Sequence, residues 1–120
     1  MNTILSKELE RLTRAFCEEA PKDIPYPYAV FSAKRINEMD GRQAYSLEIN
    51  VWDRHQYYSR AENMMDELES KLHRCNHLTD GFLIRIFRGQ RQNVPDQDRE
   101  IKRIREQFEM YVYERGQING

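Results

Sequence analysis

The sequence predicts an α+β domain, a mainly antiparallel sheet with two helices packed on one face, in the order α-β-β-α-β-β. Three observations lead there. Two stretches repeat apolar residues at helical spacing, a third alternates apolar with polar residues, and Asp40-Gly41 stands between two strand-like runs where a tight connection belongs. A chain of 120 residues fits a single domain, here 1–115, with a flexible tail over 116–120.

Leu5, Leu9, Leu12 and Phe16 recur at steps of four, three and four, with Ile4 beside them, which predicts a first helix. It stops near Glu19, because Pro21, Pro25 and Pro27 remove backbone donors and push the residues before them out of the α region. From Tyr28 to Ile36 the chain is rich in aromatic and β-branched residues and reads as a strand. After the Asp-Gly turn, Tyr45, Leu47, Ile49 and Val51 alternate with Ser46, Glu48, Asn50 and Trp52, the mark of a strand with one buried face.

Ser59-Arg60-Ala61-Glu62 matches a capping box and predicts the start of a second helix, running to Cys75 with Ala61, Met65, Leu68, Leu72 and Cys75 as its buried stripe. Its other face, with Asp66, Glu67, Glu69, Ser70 and Lys71, belongs in water. Phe82 to Arg88 reads as a third strand, followed by an exposed loop from Gly89 to Gln97. Residues 98–107 carry both helical spacing (Ile101, Ile104, Phe108) and strand spacing (Phe108, Met110, Val112). Aromatic and β-branched density favours a strand from Ile104 to Glu114.

The 19 basic and 20 acidic side chains leave a net charge of −1, so no global field draws the chain to nucleic acid or membrane. Charged residues arrive before any long apolar run, unlike a secretory leader, and no window approaches the roughly 20 apolar residues of a membrane helix. A soluble intracellular protein is expected. Cys17 and Cys75 form no disulfide framework and are expected as free, buried thiols within helices.

Little in the sequence points to catalysis. His73 and His77 are four apart, yet with Cys75 between them they match no zinc pattern, and histidines at a helix C-terminus are favourably placed against its dipole. No Gly-x-Ser-x-Gly elbow supports a nucleophile, and Gly41, Gly81 and Gly89 are isolated, so no glycine loop cradles a phosphate. Asp96, Asp98 and Glu100 read as a solvated acidic turn. No cofactor, metal or catalytic residue is therefore expected.

Candidate interface residues are easier to nominate. Trp52, Tyr57 and Tyr58 cluster where the second strand ends, and aromatic residues are enriched at protein interfaces. Tyr111 and Tyr113 face away from Phe108, Met110 and Val112 on a strand, so one of its two faces meets something beyond the chain's own core. Arg85, Arg88, Arg91, Arg99, Lys102, Arg103 and Arg105 concentrate positive charge in the C-terminal third. On one exposed face they would suit nucleic-acid phosphates; interspersed Asp96, Asp98, Glu100 and Glu106 weaken that and favour a solvated or protein-facing mixed-charge surface.

Pro25-Tyr26-Pro27-Tyr28-Ala29-Val30-Phe31-Ser32 entering a strand, Leu47-Glu48-Ile49-Asn50-Val51-Trp52-Asp53 followed by Tyr58-Ser59-Arg60-Ala61-Glu62, and the late Arg105-Glu106-Gln107-Phe108-Glu109-Met110-Tyr111-Val112-Tyr113 together resemble the tail terminator, or tail completion, proteins of long-tailed phages. The resemblance spans nearly the whole chain. It implies a ring-forming subunit, a hexamer, that caps the tail tube, stops its growth and offers the head connector a docking surface, with DNA passing through the lumen. It also implies residence in the host cytoplasm and then in the virion tail, while no enzymatic activity and no membrane association are expected from the residues themselves. The basic stretch from Arg99 to Arg105 departs from the family's pattern. The alternative reading is a small nucleic-acid-binding accessory domain using the C-terminal arginines.

Overall fold

The computed structural model describes residues 15–17, 22–39, 42–79 and 81–114. They form a six-stranded sheet with one helix: β1 (Ala15–Cys17), β2 (Tyr28–Met39), β3 (Arg42–Arg54), α1 (Ser59–Leu72), β4 (Cys75–Thr79), β5 (Phe82–Val94) and β6 (Ile101–Glu114). The spatial order is β1-β2-β3-β6-β5-β4. All neighbours are antiparallel except β1 and β2, which run parallel. The α+β class with a mainly antiparallel sheet is what the alternating patterns predict.

The β2–β3 ladder runs to the pair Met39↔Arg42, leaving only Asp40-Gly41 between the strands in sequence. β6 then inserts between β3 and β5, so the longest strands lie side by side at the centre. Their inward residues make one core: Leu47, Ile49 and Val51 from β3, Ile104, Phe108, Met110 and Val112 from β6, Ile84 and Ile86 from β5, and Ala29 and Phe31 from β2. α1 crosses this face with Ala61, Met65, Leu68 and Leu72 buried against it. Each fully buried Leu, Ile or Phe contributes about 1.5–3 kcal/mol of transfer free energy, which fixes both the helix rotation and the strand register.

Several expectations are corrected. Ala15–Cys17, placed in the first helix, is a strand paired with Ala29–Phe31; the rest of that helix and the 116–120 tail lie outside the described residues. The helical spacing of Phe16 is overridden by an open strand edge beside it. Ser59 is not a capping residue. Tyr58 already has helical dihedrals, its carbonyl accepts from the Glu62 amide at 2.8 Å, and no side chain caps the turn.

α1 ends at Leu72 rather than Cys75, because Arg74 turns left-handed (φ 61°) and its amide donates to the Ile86 carbonyl at 2.7 Å, tying the chain to β5. Cys75 and His77 therefore belong to β4, a strand too short to show in the sequence pattern. Neither cysteine lies in a helix, and the expected burial of their thiols falls outside the described side chains. The loop expected from Gly89 to Gln97 is instead the second half of β5, which runs to Val94 through a bulge between Arg88 and Arg91. Gly89 lies in that bulge, where a Cβ would overlap the Gln107 carbonyl oxygen. Residues 101–107, ambiguous by periodicity, are strand.

Candidate interaction face

Period-two alternation gives the sheet two faces of different chemistry. On the face under α1 the apolar rows are interrupted by charge. Glu106 lies between Ile104 and Phe108 with its side chain only 1% exposed. Arg91 opposes it on β5 and reaches Glu106 at 2.6 Å, Glu69 at 2.7 Å and Asp66 at 2.7 Å, while Arg88 reaches Glu69 at 3.1 Å.

With all groups ionised, these three carboxylates exceed the two guanidiniums by one negative charge. One proton makes the cluster neutral. Burial accordingly pushes Glu106 up to about 7, against the pull of Arg91 and with the added push of Glu69. Burial also acts to raise Glu69, but the neighbouring Glu106 carboxyl and the hydrogen bonds from Arg88 and Arg91 outweigh it and hold Glu69 below the usual value. The second Glu106 carboxylate oxygen, Oε2, has no hydrogen-bond partner among the described residues. This cluster was missed from sequence, although a glutamate at an inward position of an otherwise apolar alternation is a readable signal.

Asp53 repeats the theme at the end of β3. It is fully buried and receives the Arg60 guanidinium through Nε at 3.0 Å and Nη2 at 2.5 Å.

The opposite face is covered by no described element. The ladders align its residues in rows across β2, β3, β6 and β5: Tyr28–Trp52–Arg103–Val94, then Val30–Asn50–Arg105–Gln92, and further along Lys34–Ser46–Glu109–Phe87. Beyond these, Ala44, Tyr111 and Arg85 align, followed by Arg42, Tyr113 and Leu83. Ser32, Lys34, Arg85, Gln107 and Glu109 are exposed, while Trp52, Phe87, Tyr111 and Tyr113 are half-buried.

Cations on this face rest on rings and amides. The Arg103 guanidinium lies 4.7 Å from the Trp52 ring and its Nε donates to Asn50 Oδ1 at 2.9 Å. Arg42 lies 4.9 Å from the Tyr111 ring, and Arg85 Nε donates to Asn76 Oδ1 at 2.9 Å. Arg105 is 3.8 Å from Glu48. The Tyr111 hydroxyl donates to Glu109 at 3.1 Å, and that hydrogen bond, with some burial, raises its pKa.

The residues nominated from sequence therefore divide. Trp52, Arg103, Arg105, Tyr111 and Tyr113 share the open face. Arg88 and Arg91 point the other way, into the helix carboxylates. Tyr58 packs against the core with Lys102 5.5 Å from its ring, and Tyr57 is 61% exposed in the turn before α1, so neither joins Trp52. Arg85, expected only as part of the basic concentration, joins the face with Tyr28, Arg42, Asn50 and Phe87, which were not nominated; only strand register reveals them.

At the far tip, Arg54, His55, Gln56, Arg99, Glu100 and Lys102 line an open cleft of about 600 Å³. Arg54 is bridged there to Asp98 and Glu100, each at 3.1 Å. Asp98 and Asp96 each accept a backbone amide two residues on, and the bond from the Glu100 amide lowers the Asp98 pKa. Among the described residues no group of His, Cys, Asp and Glu is placed to hold a metal ion, and no helix is long and apolar enough to cross a membrane. No protein-family model matches the chain, and no curated protein matches it.

Proposed function

We propose that this chain is a structural assembly subunit of the tail-terminator kind, without catalysis, forming a hexameric ring that caps a phage tail tube and receives the head connector. The observation that carries this reading is the uncovered sheet face, where Trp52, Tyr111, Tyr113 and Arg103 stand half-buried with no described element over them. Tryptophan, tyrosine and arginine are the side chains that anchor protein interfaces, and a sheet face of this composition is suited to another protein surface. The sequence resemblance supplies the kind of partner: other copies of the chain, the tail tube protein and the connector, with DNA in the lumen.

The nucleic-acid reading draws less support. Arg88 and Arg91 are occupied by Asp66, Glu69 and Glu106 on the helix side, so the arginines that cluster in sequence do not share one surface.

Electron microscopy of the purified chain, and of tails made with and without it, tests the reading. Rings on tube ends and abnormal tail length on deletion are expected. Normal tails without the protein would refute it.

A further inference from the structure

We infer that the open face of the sheet receives the acidic outer face of α1 from a second copy, head to tail. This deepens the ring reading and rests on it, because it names which surfaces meet.

The two surfaces differ in charge. On the open face Lys34, Arg42, Arg85, Arg103 and Arg105 stand against Glu48 and Glu109 alone among the described residues. Arg42, Arg85 and Arg103 rest on Tyr111, Asn76 and Trp52, which position a guanidinium without neutralising it. The outward side of α1 leans to the opposite sign: Lys71 offsets Glu67 and Arg88 and Arg91 offset Glu69 and Asp66, which leaves Glu62 in excess among the described residues. Glu62, Asp66 and Glu67 are exposed there; Asp66 and Glu67 remain 64% and 60% exposed despite their bonds to Arg91 and Lys71. Arg60, the other cation on the helix, is turned back onto Asp53.

Symmetry follows from this polarity. A two-fold contact would set open face against open face, cation against cation, or helix against helix, acid against acid. The complementary contact is heterologous, and repeated it closes into a ring or runs on as a filament.

Dimensions agree. From Arg103 to Tyr113 the face extends about 34 Å at roughly 3.4 Å per residue, and a helix of 14 residues is about 21 Å long, so the whole helix fits on it. Trp52 and Tyr111, half-buried beneath Arg103 and Arg42, supply the apolar anchors such a contact needs.

Charge reversal in trans tests this. Arg85→Glu/Arg103→Glu makes both faces acidic, and Glu62→Lys/Glu67→Lys makes both basic. Light scattering and electron microscopy at low salt are expected to show assembly of the unmodified chain and at least tenfold weaker assembly of either double variant alone. An equimolar mixture should recover rings of alternating copies, an outcome that misfolded variants could not give. If each variant assembles like the parent, the inferred surfaces are wrong and the ring reading stands. If the unmodified chain stays monomeric at every concentration, the inference falls, and the tail-length deletion separately decides the ring reading. Intact rings, together with loss of oligonucleotide binding in the Arg85→Glu/Arg103→Glu variant, would make the face a nucleic-acid platform and overturn the inference.

Discussion

Replacing Glu106 with Gln isolates the buried proton. The side chain is 1% exposed and shares Arg91 with Asp66 and Glu69, and its pKa stands near 7 against 4.5 for an unperturbed glutamate. The folded chain thus binds this proton more tightly than the unfolded chain. Its contribution is complete below about pH 4.5 and is lost as pH rises through 7. At about 1.4 kcal/mol per pH unit, the loss across that window is up to about 3 kcal/mol. Glu69, held below its usual value, acts in a different window: its contribution is present above 4.5 and disappears as pH falls below that. Glutamine keeps the shape, accepts from Arg91 and can donate to Glu69, but it does not titrate. Urea unfolding followed by circular dichroism from pH 4 to 8 should show the parent losing stability between pH 5 and 8 and the variant staying nearly level. The variant should be the more stable by about 2–3 kcal/mol at pH 8. An equal loss in both proteins would refute the shared-proton account.

Arg91→Ala leaves three carboxylates facing one another around a buried position, and a loss of about 3 kcal/mol at pH 8, smaller at pH 5, should appear in the same unfolding series. Leu68→Ala empties a site that is 1% exposed in the centre of the helix stripe and should cost about 2–5 kcal/mol by urea midpoint. Gly89→Ala drives a methyl into the Gln107 carbonyl and should cost about 1–3 kcal/mol, with loss of amide protection concentrated in the second half of β5. Arg103→Ala removes only the Trp52 and Asn50 contacts within one chain, so monomer stability should fall by no more than about 1 kcal/mol while assembly weakens far more.

Much of the fold was legible because burial imposes periodicity. Tyr45 to Val51 and Phe108 to Val112 announce their faces by alternation, and Ala61 to Leu72 announces a helix by steps of four, three and four. The failures have physical causes. Cys75–Thr79 becomes a strand because Arg74 breaks the helix and β5 offers an edge, a tertiary event with no local signature. Gly89 to Val94 looks like a loop because most of its residues are exposed and its bulge breaks the alternation. The interaction face was half visible. Trp52, Arg103, Tyr111 and Tyr113 were nominated by composition, but the grouping of Arg88 and Arg91 with them was an artefact of proximity in sequence. Which arginines share a surface depends on register, and register is settled only when strands pair.

The bulge in β5 gives that dependence a evolutionary edge. Residues three apart on a regular strand point to opposite sides, yet Arg88 and Arg91 both pair with inward residues of β6, Phe108 and Glu106. Deleting a single codon between them would restore simple alternation and leave everything beyond it in register. Arg91 would then stand two places after Arg88, still opposite Glu106, and Gln92 would still face outward opposite Arg105. A one-residue deletion at this point therefore keeps the charge of both faces, whereas the same deletion in the regularly paired stretches on either side would exchange them, so changes in length along β5 should be tolerated at the bulge and nowhere else in the strand.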